Sequence, residues 1–331
     1  MPELSTVTRS VQIGKETTPG TGVAAGKLLQ YIGISLAPNL EMNTFQPMGS
    51  KVASAVTPGK DWSTLSVDGK GSYSEIVYIF NGLLKTVTPS TVDTTGKSWL
   101  WEPLARTEET KSRYTIEEGS SVRAGKATYG AFTDATITFN RTEGVTVSGS
   151  GFAQNYQANI ALTGSPTTIE EAIILPTHLN IYSNDTFGAI GTTKLTRDFN
   201  AEFSISGFVG SVWPINSANA SFASDVDLLP EISCKLRCSA DSQGESFLTA
   251  ARAGATKYIR LDATSTVLAG ASTAFYRLTI DFPAKVNEYP GFEDEEGLKV
   301  VDVGLVPVLD STFSAAGAWS RITAVNKVAS E

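Results

Sequence analysis

The sequence is poor in the residues that most often carry chemistry, since its 331 residues include one histidine, two cysteines and three methionines. A catalytic triad or a histidine-based metal site would depend on His178, whose neighbours offer no second ligand at metal-binding spacing. Cys234 and Cys238 are four positions apart on one predicted strand, too far for a disulfide, and no second cysteine pair completes a zinc site. We therefore predict buried, reduced cysteines, no catalytic residue, no cofactor or metal site, and a protein that is not an enzyme.

An excess of positive charge is also missing, because the formal net charge is −8 at pH 7. Tight binding to nucleic-acid phosphates needs a basic surface, whereas an acidic balance is compatible with a surface that DNA slides past rather than binds. No apolar run approaches the roughly 20 residues of a membrane span, and the first residues lack a basic-then-apolar signal pattern. These absences predict no membrane insertion of the chain's own and no tight nucleic-acid site.

Two short motifs look like ion-binding loops but depart from them. Residues 68–72 read Asp-Gly-Lys-Gly-Ser, and a glycine there interrupts the Gly-Lys-Ser/Thr order of a phosphate loop. Residues 225–227 read Asp-Val-Asp and lack the glycine and closing glutamate of a calcium loop. The first motif is better interpreted as a turn between a strand and a helix.

What the sequence does contain is a unit that occurs twice. In the first copy, Ser63–Leu84, apolar and polar residues alternate as far as Asp68, and in the second, Cys234–Gly254, they alternate as far as Ser239. Alternation of period two predicts a strand with one buried and one wet face. Because the same pattern occurs twice with similar neighbours, we predict an internal duplication.

Each copy then shows the start of a helix. Ser72 with Glu75, and Ser242 with Glu245, match the Ser-x-x-Glu capping box, in which a hydroxyl and a carboxylate bond the free amides of the first turn. Apolar residues follow at helical spacing, more strongly in the first copy than in the second. The residues of the two apolar helix faces are Ile76, Ile79, Phe80, Leu83 and Leu84, and then Phe247, Leu248, Ala250 and Ala251.

The order of predicted elements gives a mainly β (α+β) fold with two tandem domains, each an antiparallel sandwich or barrel sheet with one packed helix. We place an N-terminal arm at residues 1–27, the first domain at 28–161, a connector at 162–191 and the second domain at 192–331. The arm has little apolar content, which indicates a segment that is floppy or that orders against a neighbour.

Hairpins and long loops complete each copy. Closing hairpins are predicted for Ala131–Asn140 with Gly144–Gln154, and for Tyr276–Phe282 with Leu298–Val308. Segment 37–61 is predicted to hold a strand near Phe45 and a loop of roughly a dozen residues, and loops that long usually have a function or are disordered. Segment 85–111 reads as irregular, with a short strand suggested at Trp99 and Trp101, and segment 283–297 as the long loop of the second hairpin. The last of these segments is acidic, a pattern typical of a solvated loop tip.

Three stretches of this chain resemble the tail tube (major tail) proteins of long, non-contractile bacteriophage tails, in the form with two fused tube domains. Together they place the likeness over most of the chain. They are the arm VQIGKETTPGTGVAAGK, the join GAIGTTKLTRDFNAEFSISGFVGSVWPIN, and the helix-to-strand passage TAARAGATKYIRLDATS.

The resemblance implies a self-assembling structural protein of the virion, made and assembled in the bacterial cytoplasm. Single tube domains of this family form hexameric rings whose strands join into one barrel, so three two-domain chains would complete a pseudo-hexameric ring. Rings stack into a hollow tube that conducts double-stranded DNA. The family also implies a tape-measure protein inside the tube, and terminator and tip proteins at its ends.

Roles follow by position. The alternating strands would build the barrel wall, and the polar faces that include Thr64, Ser66 and Asp68 in the first copy, and Lys235, Arg237 and Ser239 in the second, would line the lumen. Two cations there conflict with a lumen that lets DNA slide. The segment 37–61 and the arm would contact the next ring.

A carbohydrate-binding or adhesin-like β-sandwich is the alternative function. Such proteins need clustered exposed aromatic side chains, and Trp99 and Trp101 are the one pair that suggests them, although core packing explains the pair equally well.

Overall fold

The computed structural model describes residues 9–120, 122–215, 220–295 and 297–331, so residues 1–8 of the predicted arm and Glu296 of the acidic segment lie outside it. The fold is mainly β, as predicted. The elements of the N-terminal half are β1 Ser10–Lys15, β2 Lys27–Leu29, β3 Ile32–Phe45, β4 Ala55–Lys70, α1 Ile76–Leu83, β5 Ser90–Thr91, β6 Lys97–Trp101, β7 Tyr114–Gly119, β8 Ala124–Asn140 and β9 Gly144–Ile160.

The connector and the C-terminal half contribute eleven further strands and a second α-helix. These elements are β10 Thr167–Thr168, β11 Leu179–Asn184, β12 Asp198–Ser206, β13 Val209–Val212, β14 Ser224–Asp227, β15 Glu231–Ser239, α2 Ser242–Ala253, β16 Lys257–Leu268, β17 Phe275–Glu288, β18 Glu293–Glu295, β19 Leu298–Pro307 and β20 Arg321–Asn326. Short 3-10 turns lie on either side of β11.

The two halves repeat one strand topology, which supports the predicted duplication. In the first half the antiparallel order is β3-β4-β9-β8-β7-β1. In the second half it is β12-β15-β19-β17-β16-β11. Each half also carries its helix at the same place, between the third and fourth of these six strands in chain order.

One antiparallel pairing joins the halves into a single sheet. Residues 135–140 of β8 pair with residues 200–205 of β12, and we call this pairing the joint. Through the joint, β3, β4, β9, β8, β12, β15, β19 and β17 form one eight-stranded sheet. Beyond it, β20 of the second half pairs with β6 of the first, so the boundary predicted at 162–191 is crossed twice.

The core lies on one face of the eight-stranded sheet, under the helices. Each strand buries alternate apolar residues, such as Leu65 and Val67 in β4 and Phe203 in β12. All eight residues of α1 are buried, whereas α2 buries only Gly244, Phe247 and Ala250. The stronger apolar pattern of the first helix in the sequence therefore corresponds to a deeper position in the core.

Neither capping box forms as predicted. The Ser72 hydroxyl accepts from the Glu75 amide at 3.4 Å, but the buried Glu75 carboxylate accepts from the amides of residues 30–32 at 2.7–3.3 Å instead of returning to the helix start. Burial raises the pKa of Glu75, against the opposing effect of those amides. In the second helix Asp241, not Ser242, is the cap, accepting from the amides of Gln243 and Gly244.

The arm and the long loop also differ from expectation. Residues 10–15 form β1, whose Val11 and Ile13 are buried, because the short alternating run Val-Gln-Ile pairs with β2 on one side and β7 on the other. The segment 37–61 contains the strand predicted near Phe45, but its strands are longer than expected. Strands β3 and β4 continue through it as a long hairpin that projects from the sheet, since β4 pairs with β9 only over Ser63–Lys70. In the described part of the chain, no helix is long and apolar enough to cross a membrane.

Candidate functional site: the polar face and the two ends of the eight-stranded sheet

The face of the eight-stranded sheet opposite the core is polar, and we call it the polar face. Its residues alternate with the buried ones along every strand and form cross-strand rows rich in hydroxyl groups. One such row runs through Asp68, Ser148, Thr136, Ser204 and Ser233, with Thr136 and Ser204 hydrogen-bonded at 2.9 Å. Neighbouring strands are about 4.8 Å apart, so these hydroxyl groups lie side by side across the face.

Of the six residues predicted on this face, five lie on it. Thr64, Ser66, Asp68 and Lys235 are exposed and Arg237 is partly exposed, but Ser239 is buried at the end of β15. Ser239 is buried because its amide and the next residue bond Arg197 and Lys299 as the chain turns into α2.

Of the two cations that conflict with a lumen for DNA, Arg237 is held among carboxylates. The Arg237 guanidinium donates to Glu293 at 3.0 Å and Asp302 at 2.8 Å, and also to Glu295. The bond to Glu295 is the main cause that raises the pKa of Arg237. Lys235 lies directly opposite Glu202 in the register of β12 and β15. The acidic segment that was predicted to be a solvated loop tip thus folds back and neutralises the arginine of the polar face.

The two ends of the eight-stranded sheet are open in the described part of the chain. At one end, β3 pairs with β4 alone. At the other, β17 and β18 pair with β19 on one side, and no strand among the described residues lies beyond β18 or the last residues of β17. Unpaired edges of this kind accept strands from other chains unless something covers them.

The joint between the halves is reinforced by charge pairs that are largely withdrawn from solvent. The hairpin β13–β14 places Asp225 against Arg113, whose Nε lies 3.2 Å from Oδ1, and Tyr129 donates to the same carboxylate at 2.6 Å. Phe222 packs edge-on against Phe152 with ring centroids 4.8 Å apart. The second half is therefore anchored on the first by side chains as well as by the sheet.

We expect Asp225→Asn to destabilise the chain by about 3–5 kcal/mol, because it leaves the Arg113 guanidinium, 4% exposed, without its counter-charge. Chemical denaturation would measure the change. Glu143→Gln is the matched control, because Glu143 and its partner Lys70 are 56% and 47% exposed, so its loss should cost less than about 1 kcal/mol. An equal effect of both substitutions would contradict the assignment.

The same pair predicts acid sensitivity. Burial by itself would raise the pKa of Asp225, but the hydrogen bond and charge of Arg113 outweigh it and leave that pKa below its usual value. The pKa of an aspartate in the unfolded chain is near 3.9. Because the pKa of Asp225 is lower in the folded chain, the pair stabilises the fold fully above about pH 3.9, and this stabilisation is lost as the pH falls through the folded-state pKa. The Asn variant should therefore lose stability less steeply below pH 4 than the natural chain.

The histidine, the two cysteines and the tryptophan pair all lie in the protein interior. His178 is buried and its Nδ1 lies 3.0 Å from the Tyr73 hydroxyl, and burial lowers its pKa. Cys234 and Cys238 are free and buried, as predicted, and burial raises the pKa of each thiol to about 12. Trp99 and Trp101 are buried and stacked with centroids 6.2 Å apart, which removes the aromatic pair that suggested a carbohydrate-binding surface.

Residues 68–72 span the end of β4 and the turn into α1, as the structural interpretation predicted. Lys70 pairs with Glu143 at 2.9 Å, and the Ser72 hydroxyl bonds helix amides. Asp225 and Asp227 lie on β14 and bond Arg113 and Lys111. In the described residues, no group of three or more histidine, cysteine, aspartate or glutamate side chains is placed to hold a metal ion.

No protein-family model matches the chain, and no curated protein matches it either. The fold itself defines the class: a mainly β protein in which a duplicated antiparallel unit is joined into one sheet with a core face, a polar face and two open ends.

Proposed function

We propose that this chain is the structural subunit of a bacteriophage tail tube, in which three copies close into a ring and rings stack into a hollow tube. The observation that carries the proposal is the eight-stranded sheet, because its internal joint shows how one end of the repeat pairs with the other. A head-to-tail contact gives a ring when its repeated rotation closes after a whole number of copies, and closure removes both open edges.

The joint supplies a template for the contact between copies. In the repeat, β3 corresponds to β12, and β17 with β18 corresponds to β8. Matching strand ends fix the alignment, since Lys70 and Ser239 end β4 and β15, and Gly144 and Leu298 begin β9 and β19. The edge of β3 in one copy would therefore pair with residues 289–295 of the next.

The alignment also accounts for an exposed aromatic side chain. Ile137 of β8 pairs with Phe203 across the joint and is 1% exposed. Its counterpart in the second half is Phe292, one residue before β18, which is 53% exposed. Pairing with β3 of another copy would bury Phe292 as the joint buries Ile137, and large apolar side chains at such positions are typical of interfaces.

In this ring the polar face lines the lumen. Its hydroxyl-rich rows and its neutralised arginine suit the passage of double-stranded DNA, because a cation that is paired with carboxylates holds phosphates less strongly. The projecting hairpin of β3 and β4 leaves the sheet at one rim and would reach the next ring. A tape-measure protein in the lumen, terminator and tip proteins at the ends, and location in the virion all belong to this proposal.

Electron microscopy of the purified protein tests the proposal directly. Negatively stained samples should contain rings or tubes with a central hole, and their images should show sixfold pseudo-symmetry from three chains. A sample that stays monomeric over a wide range of concentration and salt would contradict it.

A further inference from the structure

Side chains cover the open edge of β3 in the single chain. The Arg9 guanidinium donates from Nη2 to the Ile34 carbonyl at 2.8 Å, and the Leu36 amide donates to Glu118 Oε2 at 2.6 Å. Arg9 Nε and Glu118 Oε1 are themselves paired at 2.9 Å. We call this closed set of three contacts the edge latch.

The edge latch occupies the position of a missing strand. In the repeat, Ile34 and Leu36 correspond to Ala201 and Phe203, because they face equivalent residues of β4 and β15. Ala201 and Phe203 pair across the joint with Phe139 and Ile137 of β8. The backbone groups of Ala201 and Phe203 face a strand, β8. Those of Ile34 and Leu36 bond the side chains of Arg9 and Glu118 instead.

We propose that the edge of β3 is the acceptor for residues 289–295 of a second copy, and that the edge latch keeps it closed until that copy arrives. This inference rests on the proposed function and adds a step that regulates when assembly begins. The latch would hold free chains apart while the protein accumulates, because an uncovered edge pairs without regulation.

The side chains of the edge latch are partly exposed to solvent, as expected for a contact that must open during assembly. The Arg9 side chain is 41% exposed and that of Glu118 is 21% exposed, so both remain hydrated after they leave the edge. An ion pair of this exposure is weak and is screened by salt. An incoming strand replaces two side-chain contacts with a ladder of backbone hydrogen bonds and buries Phe292, so the exchange favours assembly once copies meet.

The test compares Arg9→Ala and Glu118→Ala with the natural chain. We expect each variant to assemble at a concentration about fivefold lower and with a shorter lag in light scattering. The matched control is Glu170→Ala, which removes another partly exposed ion pair, with Lys327, away from the β3 edge. Below the assembly concentration, Glu118→Ala should also speed hydrogen exchange of the Leu36 amide, with that of Leu65 unchanged.

The outcomes separate the two proposals. Suppose that the natural chain assembles. If both variants then assemble with the same lag, or do not assemble, the proposed role of the edge latch is rejected and the tube proposal stands. If only the variants assemble, the latch is supported in its strongest form. If neither the natural chain nor the variants assemble under any condition, the β3 edge is not an acceptor for a second copy and both proposals fail.

Discussion

A chain that carries Ser35→Cys and Glu293→Cys together should form covalently linked rings under mild oxidation. The internal joint pairs Glu202 with Thr138, and the alignment of the repeat places Ser35 of one copy opposite Glu293 of the next. Because Ile34 and Leu36 direct their backbone groups outward, the residues between them form a non-hydrogen-bonded pair. The Cα atoms of such a pair are about 4.5 Å apart, within the range of a disulfide.

The measurement is the ladder of linked chains on a non-reducing gel, followed by the mass of the largest closed species. We expect it to end at three chains, because three copies close the ring and leave no free cysteine at either end. The native cysteines do not interfere, since Cys234 and Cys238 are buried and their thiol pKa values lie far above neutral pH.

A shift of one residue gives the control. Glu293 and Glu295 both reach Arg237, so the residue between them, Asp294, points to the opposite face. Ser35→Cys with Asp294→Cys should therefore leave monomers under the same oxidation, because a slip of one residue turns the side chain away. Equal linkage in both variants would reject the register, and linkage in neither would reject this edge as the contact.

The strands and their duplication could be predicted from the sequence because they depend on local pattern. The structure has strands, β4 and β15, where residues alternate in the sequence, and a helix, α1, where apolar residues follow at helical spacing. The capping box predicted for the first helix does not form, because residues distant in the sequence compete for its glutamate. Glu75 is drawn away from its helix by three amides of residues 30–32, more than forty positions earlier in the chain.

The candidate site was predictable only in part, for the same reason. The polar face followed from alternation, but the partners of Arg237 did not, because Glu293 and Glu295 reach it only when β18 folds back onto β19. The edge latch joins Arg9 to Glu118 across more than a hundred residues. Pairs of this kind leave no periodic signal in a single sequence, and only the register of the sheet brings them together.

The hairpin that projects from β3 and β4 should be required for tubes but not for rings. Its outer part, from Thr44 to Val56, carries large apolar side chains that are half to fully exposed in the single chain. They are Phe45, Met48, Val52 and Val56. An exposed apolar cluster of this kind marks a contact surface, and in the proposed tube the next ring would cover it.

Replacing residues 44–56 by Asn-Gly removes this cluster and keeps the ladder below it. Asn43 and Thr57 are directly opposite each other in the register, and a two-residue Asn-Gly loop closes such a pair. Lys60 keeps its place over the Trp213 ring, 5.2 Å from the centroid. Because the removed residues bury little in their own chain, we expect thermal unfolding to stay within a few degrees of the natural value.

The expected result is a population of rings without tubes. Full burial of one such apolar side chain contributes about 1.5–3 kcal/mol, so the loss of even two per chain should raise the concentration needed for stacking about a hundredfold or more. Met48→Ser with Val52→Ser keeps the length of the hairpin, and we expect it to raise that concentration without abolishing tubes. Microscopy and sedimentation at matched concentrations distinguish the cases, and tubes of normal length from the shortened chain would show that stacking uses another surface.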